Sequence, residues 1–295
     1  VEYAHPDFIK AVIDRETIPN DRLFGNQWHH RNTGQSGGTV GADARTSWAW
    51  DITRGAAATV IAVIDGGFDA THADLTPNLW ANPGEAANGV DDADANPYID
   101  DLNGWDFSGC DVAMPAANCG DNGLAGGNHG TAVAGVAAAR GNNTLGVSGA
   151  CPNCALMLLR YGNTDFSQGL AFDYARQMGA SIITNSWGFA IGTPCTTNLC
   201  TAIANAAPLG RGGLGAVVLF AMNNPNVNDC TGANPDISSL ANVIAVSRST
   251  NLDRFDFSGF GNCMDVLAPT AGSGTVAAGR GTLWITTTDV TGANG

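Results

Sequence analysis

The sequence predicts an α/β domain with a mostly parallel sheet covered by helices on both faces. Short apolar runs rich in β-branched residues recur along the chain, and stretches of helical length separate them. Several runs end in polar residues, as parallel strands do where they meet the loops at their C-terminal edge. At 295 residues and 44% hydrophobic, the chain is long enough for one large core. It carries no internal repeat and no linker, so one domain is the simplest organisation.

Taken in order, residues 1–50 show little periodicity, and "HHRNTGQSGG" reads as loop. "TVIAVID" (59–65) is a buried parallel strand that runs into Gly66-Gly67. Residues 76–128 are rich in Asn, Asp, Gly and Pro, a long excursion of surface loops. "GTAVAGVAAA" follows as a helix of small residues, with His129 at its start. Strand "ALMLLR" (155–160), helix "FSQGLAFDYARQM" (166–178) and strand "SIITNSWG" (181–188) come next. They are followed by helix "NLCTAIANAA" (198–207) and strand "GAVVLFAMNN" (215–224). "NVIAVSR" (242–248), "MDVLAP" (264–269) and "TLWITT" (282–287) are three further strand candidates.

Thirteen Lys and Arg against 27 Asp and Glu give a net charge of −14. No basic run can track a phosphate backbone, which argues against nucleic acid. No apolar run is long enough to span a membrane, and the first residues lack a signal-peptide pattern. The eight cysteines include the local pairs Cys110/Cys119, Cys195/Cys200 and Cys230/Cys263, read as disulfides of an oxidising compartment. "CPNC" (151–154) has three readings: a tight disulfide, half of a metal site, or a redox pair. A metal site needs two more ligands, which no second Cys/His cluster supplies, and a redox pair belongs at an exposed helix start.

Asp65, Ser186 and Asn224 fall at strand ends, and His129 opens a helix that can reach the same edge. A buried carboxylate can accept from histidine Nδ1–H and leave Nε2 to take a proton from a nucleophile. An asparagine amide can donate to a developing oxyanion. Asn224, with Asn223 as its immediate neighbour, reads alternatively as a turn-forming asparagine.

On these residues the chain resembles the subtilisin-like serine proteases (subtilases), and within them the kexin/furin-like branch and its bacterial relatives. "VIAVIDGGFDATHADL" resembles the aspartate motif and "NHGTAVAGVAAA" the histidine motif. "NSWG" resembles the strand that pairs with substrate, "VLFAMNN" the oxyanion segment. "NDRLFGNQWHHRNTG" and "GWDF" resemble the start of the mature domain and the aspartate-to-histidine loop of kexin-like members. The resemblance implies a subtilisin-like three-layer fold and a secreted, extracellular or cell-envelope endopeptidase acting on peptides or proteins. Asp65 would be the triad acid, His129 the base and Asn224 the oxyanion donor. The backbone of Ser186, Trp187 and Gly188 would hold the peptide, and Asp229 matches an acidic pocket residue. Gly66 stands where the family has Ser, Thr or Asp.

The family's Gly-Thr-Ser nucleophile segment has no counterpart in this sequence. "FDFSGFGNCMDVLAP" resembles the stretch ahead of it, which disfavours Ser258 as nucleophile, and "LWITTTDVTGANG" resembles what immediately precedes it. "VEYAHPDF" resembles the last strand of the inhibitory prodomain. The resemblance thus implies a prodomain tail and processing region over 1–19, a partner of the catalytic domain. It implies a catalytic domain over 20–295 that lacks its C-terminal part and is itself inactive.

The loop "ARGNNTLGVSG" offers the alternating oxygens that calcium prefers. The family's structural Ca2+ site carries over as the carbonyls of Gly141, Leu145 and Val147, the Asn143 side chain, Asp74 and Asp21. Asp91, Asp92, Asp94 and Asp121 sit in loops without the EF-hand spacing. "FAIGTPC" departs from the kexin-like pattern after "SWG", so dibasic specificity is not implied. Two rivals come from other classes. One is a non-catalytic secreted subtilase-like peptide-binding module, which residues beyond 295 would discriminate. The other is a nucleotide enzyme, which the missing G-x-G-x-x-G and Walker lysine disfavour.

Overall fold

The computed structural model describes residues 16–89, 96–110, 119–232, 235–270 and 283–291. Seven strands form one sheet: β1 Val60–Asp65, β2 Gly104–Asp106, β3 Ala155–Arg160, β4 Ile182–Asn185, β5 Val217–Ala221, β6 Val243–Ser249 and β7 Met264–Pro269. Their order is β2-β3-β1-β4-β5-β6-β7, and every pairing is parallel. All C-terminal strand ends therefore lie on one edge. β1 pairs with β3 on one side and β4 on the other, so the strand order reverses at β1. In open parallel sheets the crevice at such a reversal is where ligands bind. Asp65 is the last residue of β1.

The all-apolar run of β1 is explained by burial on both faces. Val60, Ala62 and Ile64 join a core with Ala171, Phe172 and Ala175 of helix α3 (Asp165–Gln177) and Leu199 and Ile203 of α4 (Thr197–Gly213). Ile61 and Val63 face the opposite core, with Ala134 and Ala138 of α2 (Asn128–Ala138). A short helix α1 spans Thr46–Ala49. Burying a Val, Leu, Ile or Phe side chain here contributes about 1.5–3 kcal/mol of transfer free energy, and an alanine methyl less.

Six predicted strands and three predicted helices are present, with boundaries moved by a few residues. α4 reaches Gly213 only nominally, since Gly210, Arg211 and Gly212 have non-helical backbone, and its helical body matches the predicted 198–207. β2 was hidden in the predicted loop excursion, because three residues carry no readable period. Gly104 (φ 132) is required there: a side chain would run into the Leu158 backbone of β3.

The predicted strand at 282–287 is corrected. Residues 283–290 pair with no strand. Their polar groups are satisfied elsewhere: Trp28 Nε1 donates to Trp284 O (3.1 Å), Gln27 Nε2 to Thr286 O (3.2 Å), and Thr287 and Thr288 hydroxyls to α2 carbonyls. Once side chains and a helix take these groups, no sheet ladder is needed.

All four cysteine pairs are disulfides: Cys110–Cys119, Cys151–Cys154, Cys195–Cys200 and Cys230–Cys263. That decides among the three readings of "CPNC". Among the described residues, no helix is long and apolar enough to cross a membrane.

Candidate active site

Asp65 is buried at the end of β1, and His129 is the second residue of α2. The His129 Nδ1 lies 2.9 Å from both Asp65 carboxylate oxygens. The two come together because α2 starts tight against the β1 turn. Gly130 sits over Asp65 and Phe68, and a Cβ there would come 3.0 Å from Asp65 Cβ and 2.9 Å from the Phe68 ring. Gly66 N–H donates to Asp65 Oδ1 (2.7 Å), so the backbone supplies a bond where Gly66 has no side chain to offer. The hydrogen bond to Asp65 raises the His129 pKa above its ordinary 6.5, against the opposing effect of burial, and the Asp65 charge adds to the rise. The His129 side chain is 66% exposed and that of Asp65 only 4%, an accessible base on a buried orienting acid.

The turn after β1 is fixed from several directions. Tyr161 N–H donates to Asp65 O (3.0 Å), and Arg160 donates to Gly66 O and to Asp106 Oδ2. Trp187 Nε1 donates to Ile64 O (2.9 Å), tying the segment after β4 to the end of β1. Its ring packs on Tyr161 and Phe220. The Trp187 side chain thus braces the end of β1, a role that no sequence motif signals.

His129 lines a cleft of about 450 Å3 whose walls include Ser186, Trp187, Gly188 and Asn224. The structure also separates the two asparagines. Asn223 is engaged with acids, its amide donating to Asp229 Oδ1 (2.9 Å) and Asp236 Oδ2 (3.1 Å). Asn224 is exposed in the cleft, and its main-chain carbonyl accepts from Arg248 (3.2 Å).

Asp229 does not line this cleft. It is buried behind Asn223 and borders a smaller side pocket; burial raises its pKa, Asn223's hydrogen bonds lower it, and Asp236 adds to the rise. The acid in the cleft wall is Asp236, seven residues on, beside Gly188. Arg248 lines the cleft too. Neither position lies in a motif, so the sequence had flagged neither. Ser258 is fully buried and bonded to Ser247 Oγ (2.6 Å), which removes it as a nucleophile.

Away from the cleft, the 141–147 loop wraps two buried carboxylates. Asp21 accepts from Asn142 and Asn143 N–H, and Asp74 from the Asn143 amide and Val147 N–H. Neither acid has an ion pair among the described residues. A Cβ at Gly146 would fill the space against Asp74. Among the described residues no group of three or more His, Cys, Asp or Glu suits a metal. Any cation here would rely on carbonyl and amide oxygens besides the two acids. Asp121 bonds Gly123 N–H, while Asp91, Asp92 and Asp94 lie outside the described residues, as does most of the 1–19 segment.

The sequence pattern of the "Subtilase family" matches residues 56–293. The chain is 33% identical over 276 residues to a "Thermophilic serine proteinase" of Bacillus sp. (strain AK1), covering 91% of this chain and 55% of that protein. It is 30% identical over 281 residues to a "Calcium-dependent protease" of Trichormus variabilis, covering 90% of this chain and 36% of that one. It therefore spans between about a third and just over half the length of these curated relatives. A solved protease structure from Pseudoalteromonas arctica shares the fold, with a TM-score of 0.59 at 23% identity over 87% of this chain and 73% of that one.

Proposed function

The chain belongs to the subtilase family, and on that premise we propose that it carries the acid, base and oxyanion donor of a secreted Asp-His-Ser endopeptidase. The observation that carries the reading is the Asp65–His129 pair, 2.9 Å apart, with His129 lining the cleft. An extended peptide pairs with the backbone at Ser186–Gly188. Asp65 holds His129 Nδ1–H and leaves Nε2 to deprotonate a serine hydroxyl. The Asn224 amide donates to the oxyanion of the tetrahedral intermediate. The serine belongs to a Gly-Thr-Ser segment beyond residue 295 of a longer polypeptide, and residues 1–19 are the tail of the prodomain that inhibits it. The motifs resemble those of the kexin/furin-like branch, while the Asp236 and Arg248 walls give no dibasic signature.

The 141–147 loop fits a structural Ca2+. Asn143 bonds both buried acids, its N–H donating to Asp21 and its side-chain amide to Asp74; with that amide turned it would add an oxygen to theirs, and neither acid has a cationic partner among the described residues. The ion would brace the segment that follows α2; it takes no part in bond cleavage.

The test is peptide hydrolysis by the longer natural polypeptide and by residues 1–295, each with and without a serine-directed covalent inhibitor. Inhibitor-sensitive cleavage by the longer form alone is expected. His129→Ala lowers kcat by several powers of ten, and Asn224→Ala costs about 3 kcal/mol of transition-state stabilisation. Inhibitor-sensitive cleavage by residues 1–295 refutes the missing-serine reading. A longer form that binds peptides without cleaving any refutes the enzyme and favours the binding module.

A further inference from the structure

We propose that Asp69 is a positioning residue: it latches residues 287–291 to the loop after β1, beside the helix that carries His129. The inference rests on the peptidase reading above, in which the chain beyond Thr291 leads to the nucleophile. A reaction that needs a serine hydroxyl at His129 Nε2 needs its approach segment held relative to that histidine.

Four donors converge on the Asp69 carboxylate, two on each oxygen. Oδ1 accepts from Thr71 N–H (3.0 Å) and Thr71 Oγ1 (2.6 Å). Oδ2 accepts from Thr291 N–H (2.9 Å) and Thr291 Oγ1 (2.7 Å). Asp69 lies four residues past Asp65, and its own N–H donates to Thr131 Oγ1 (2.8 Å), two residues past His129. Thr131 closes the circuit: its hydroxyl donates to Gly127 O, and its carbonyl accepts from Thr288 Oγ1, both at 2.6 Å. Thr287 Oγ1 donates to Ala132 O (3.0 Å). Gly135 lets the segment lie close, since a side chain there would meet the Thr287 and Thr288 hydroxyls.

The acid loop, the base helix and the 287–291 segment therefore share one hydrogen-bond network centred on Asp69 and Thr131. A carboxylate suits the Asp69 position, because an amide would set its NH2 against the backbone N–H of either Thr71 or Thr291, a donor that cannot turn to accept as the hydroxyls can. Burial alone would raise the Asp69 pKa, but the hydrogen bonds from Thr71 and Thr291 together bring it down to about 2, so the latch is charged at any working pH.

The experiment compares Asp69→Asn and Thr291→Val with the parent. In residues 1–295, amide hydrogen exchange at 287–291 is expected to speed up about tenfold in Asp69→Asn, with β1 and β3 amides unchanged. In a longer, peptide-cleaving form, Asp69→Asn lowers kcat about tenfold while KM stays within twofold. Thr291→Val, which keeps the backbone donor, moves both readouts the same way by less. Unchanged exchange, acceleration spread evenly over the whole chain, or a KM rise with kcat intact overturns the latch. If no longer form cleaves any peptide, the functional reading fails, and the exchange measurement still decides whether Asp69 holds the segment.

Discussion

Gly130→Ala is the sharpest perturbation of the candidate acid–base pair that leaves both Asp65 and His129 in place. The added methyl would lie 2.9 Å from the Phe68 ring and 3.0 Å from Asp65 Cβ, and closer still to Gly67 O, where ordinary contact begins near 3.4 Å. α2 must retreat by at least about 0.5 Å, and overpacking of this kind costs about 1–3 kcal/mol. The His129–Asp65 distance then grows from 2.9 Å to roughly 3.4 Å or beyond, the edge of hydrogen bonding. Nuclear magnetic resonance titration of His129 reads the change directly. The parent's raised pKa falls back toward the ordinary 6.5 in Gly130→Ala, because the hydrogen bond that raises it is stretched. The melting temperature falls by several degrees, and in a peptide-cleaving form kcat drops about 10²-fold. A variant with the parent's His129 titration and melting temperature would refute the argument that this glycine sets the separation of acid and base.

Stability should fall with acidification between about pH 6.5 and 4. Burial drives the His30 pKa from 6.5 down to about 4, against the Ser148 bond and the Asp43 charge, and burial and then His30 push the adjacent His29 well below its ordinary value. The unfolded chain takes up these protons first, so His30 alone removes about 3 kcal/mol across that window; urea unfolding at pH 7 and pH 4.5 checks it, and equal midpoints refute it. Chelation should lower the melting temperature at fixed ionic strength, and Asp74→Asn should abolish the difference if the 141–147 loop holds the ion. Replacing Cys230 and Cys263 together by Ser opens a link across 33 residues and should cost about 3–4 kcal/mol in chemical denaturation.

Much of this protein was legible in the sequence, for local physical reasons. A strand buried on both faces has to be apolar throughout, and β1 announces itself that way. Small residues let α2 lie close to the sheet, and polar strand ends mark the edge where Asp65, Ser186 and Asn224 stand. The close pairs Cys110/Cys119 and Cys195/Cys200 were readable because a short loop leaves few other partners. Tertiary structure decided what depends on atoms distant in sequence. β2 depends on the close approach of Gly104 to Leu158, and residues 283–287 form no strand because Gln27, Trp28 and α2 take their polar groups. Asp229 and Asp236 occupy the Asn223 amide, while Asn224 is left exposed in the cleft. The same contact turned Asp229 away from the cleft and left Asp236 in its wall. Period and composition report which face of an element is buried, while hydrogen bonds between remote segments fix where each polar side chain is spent.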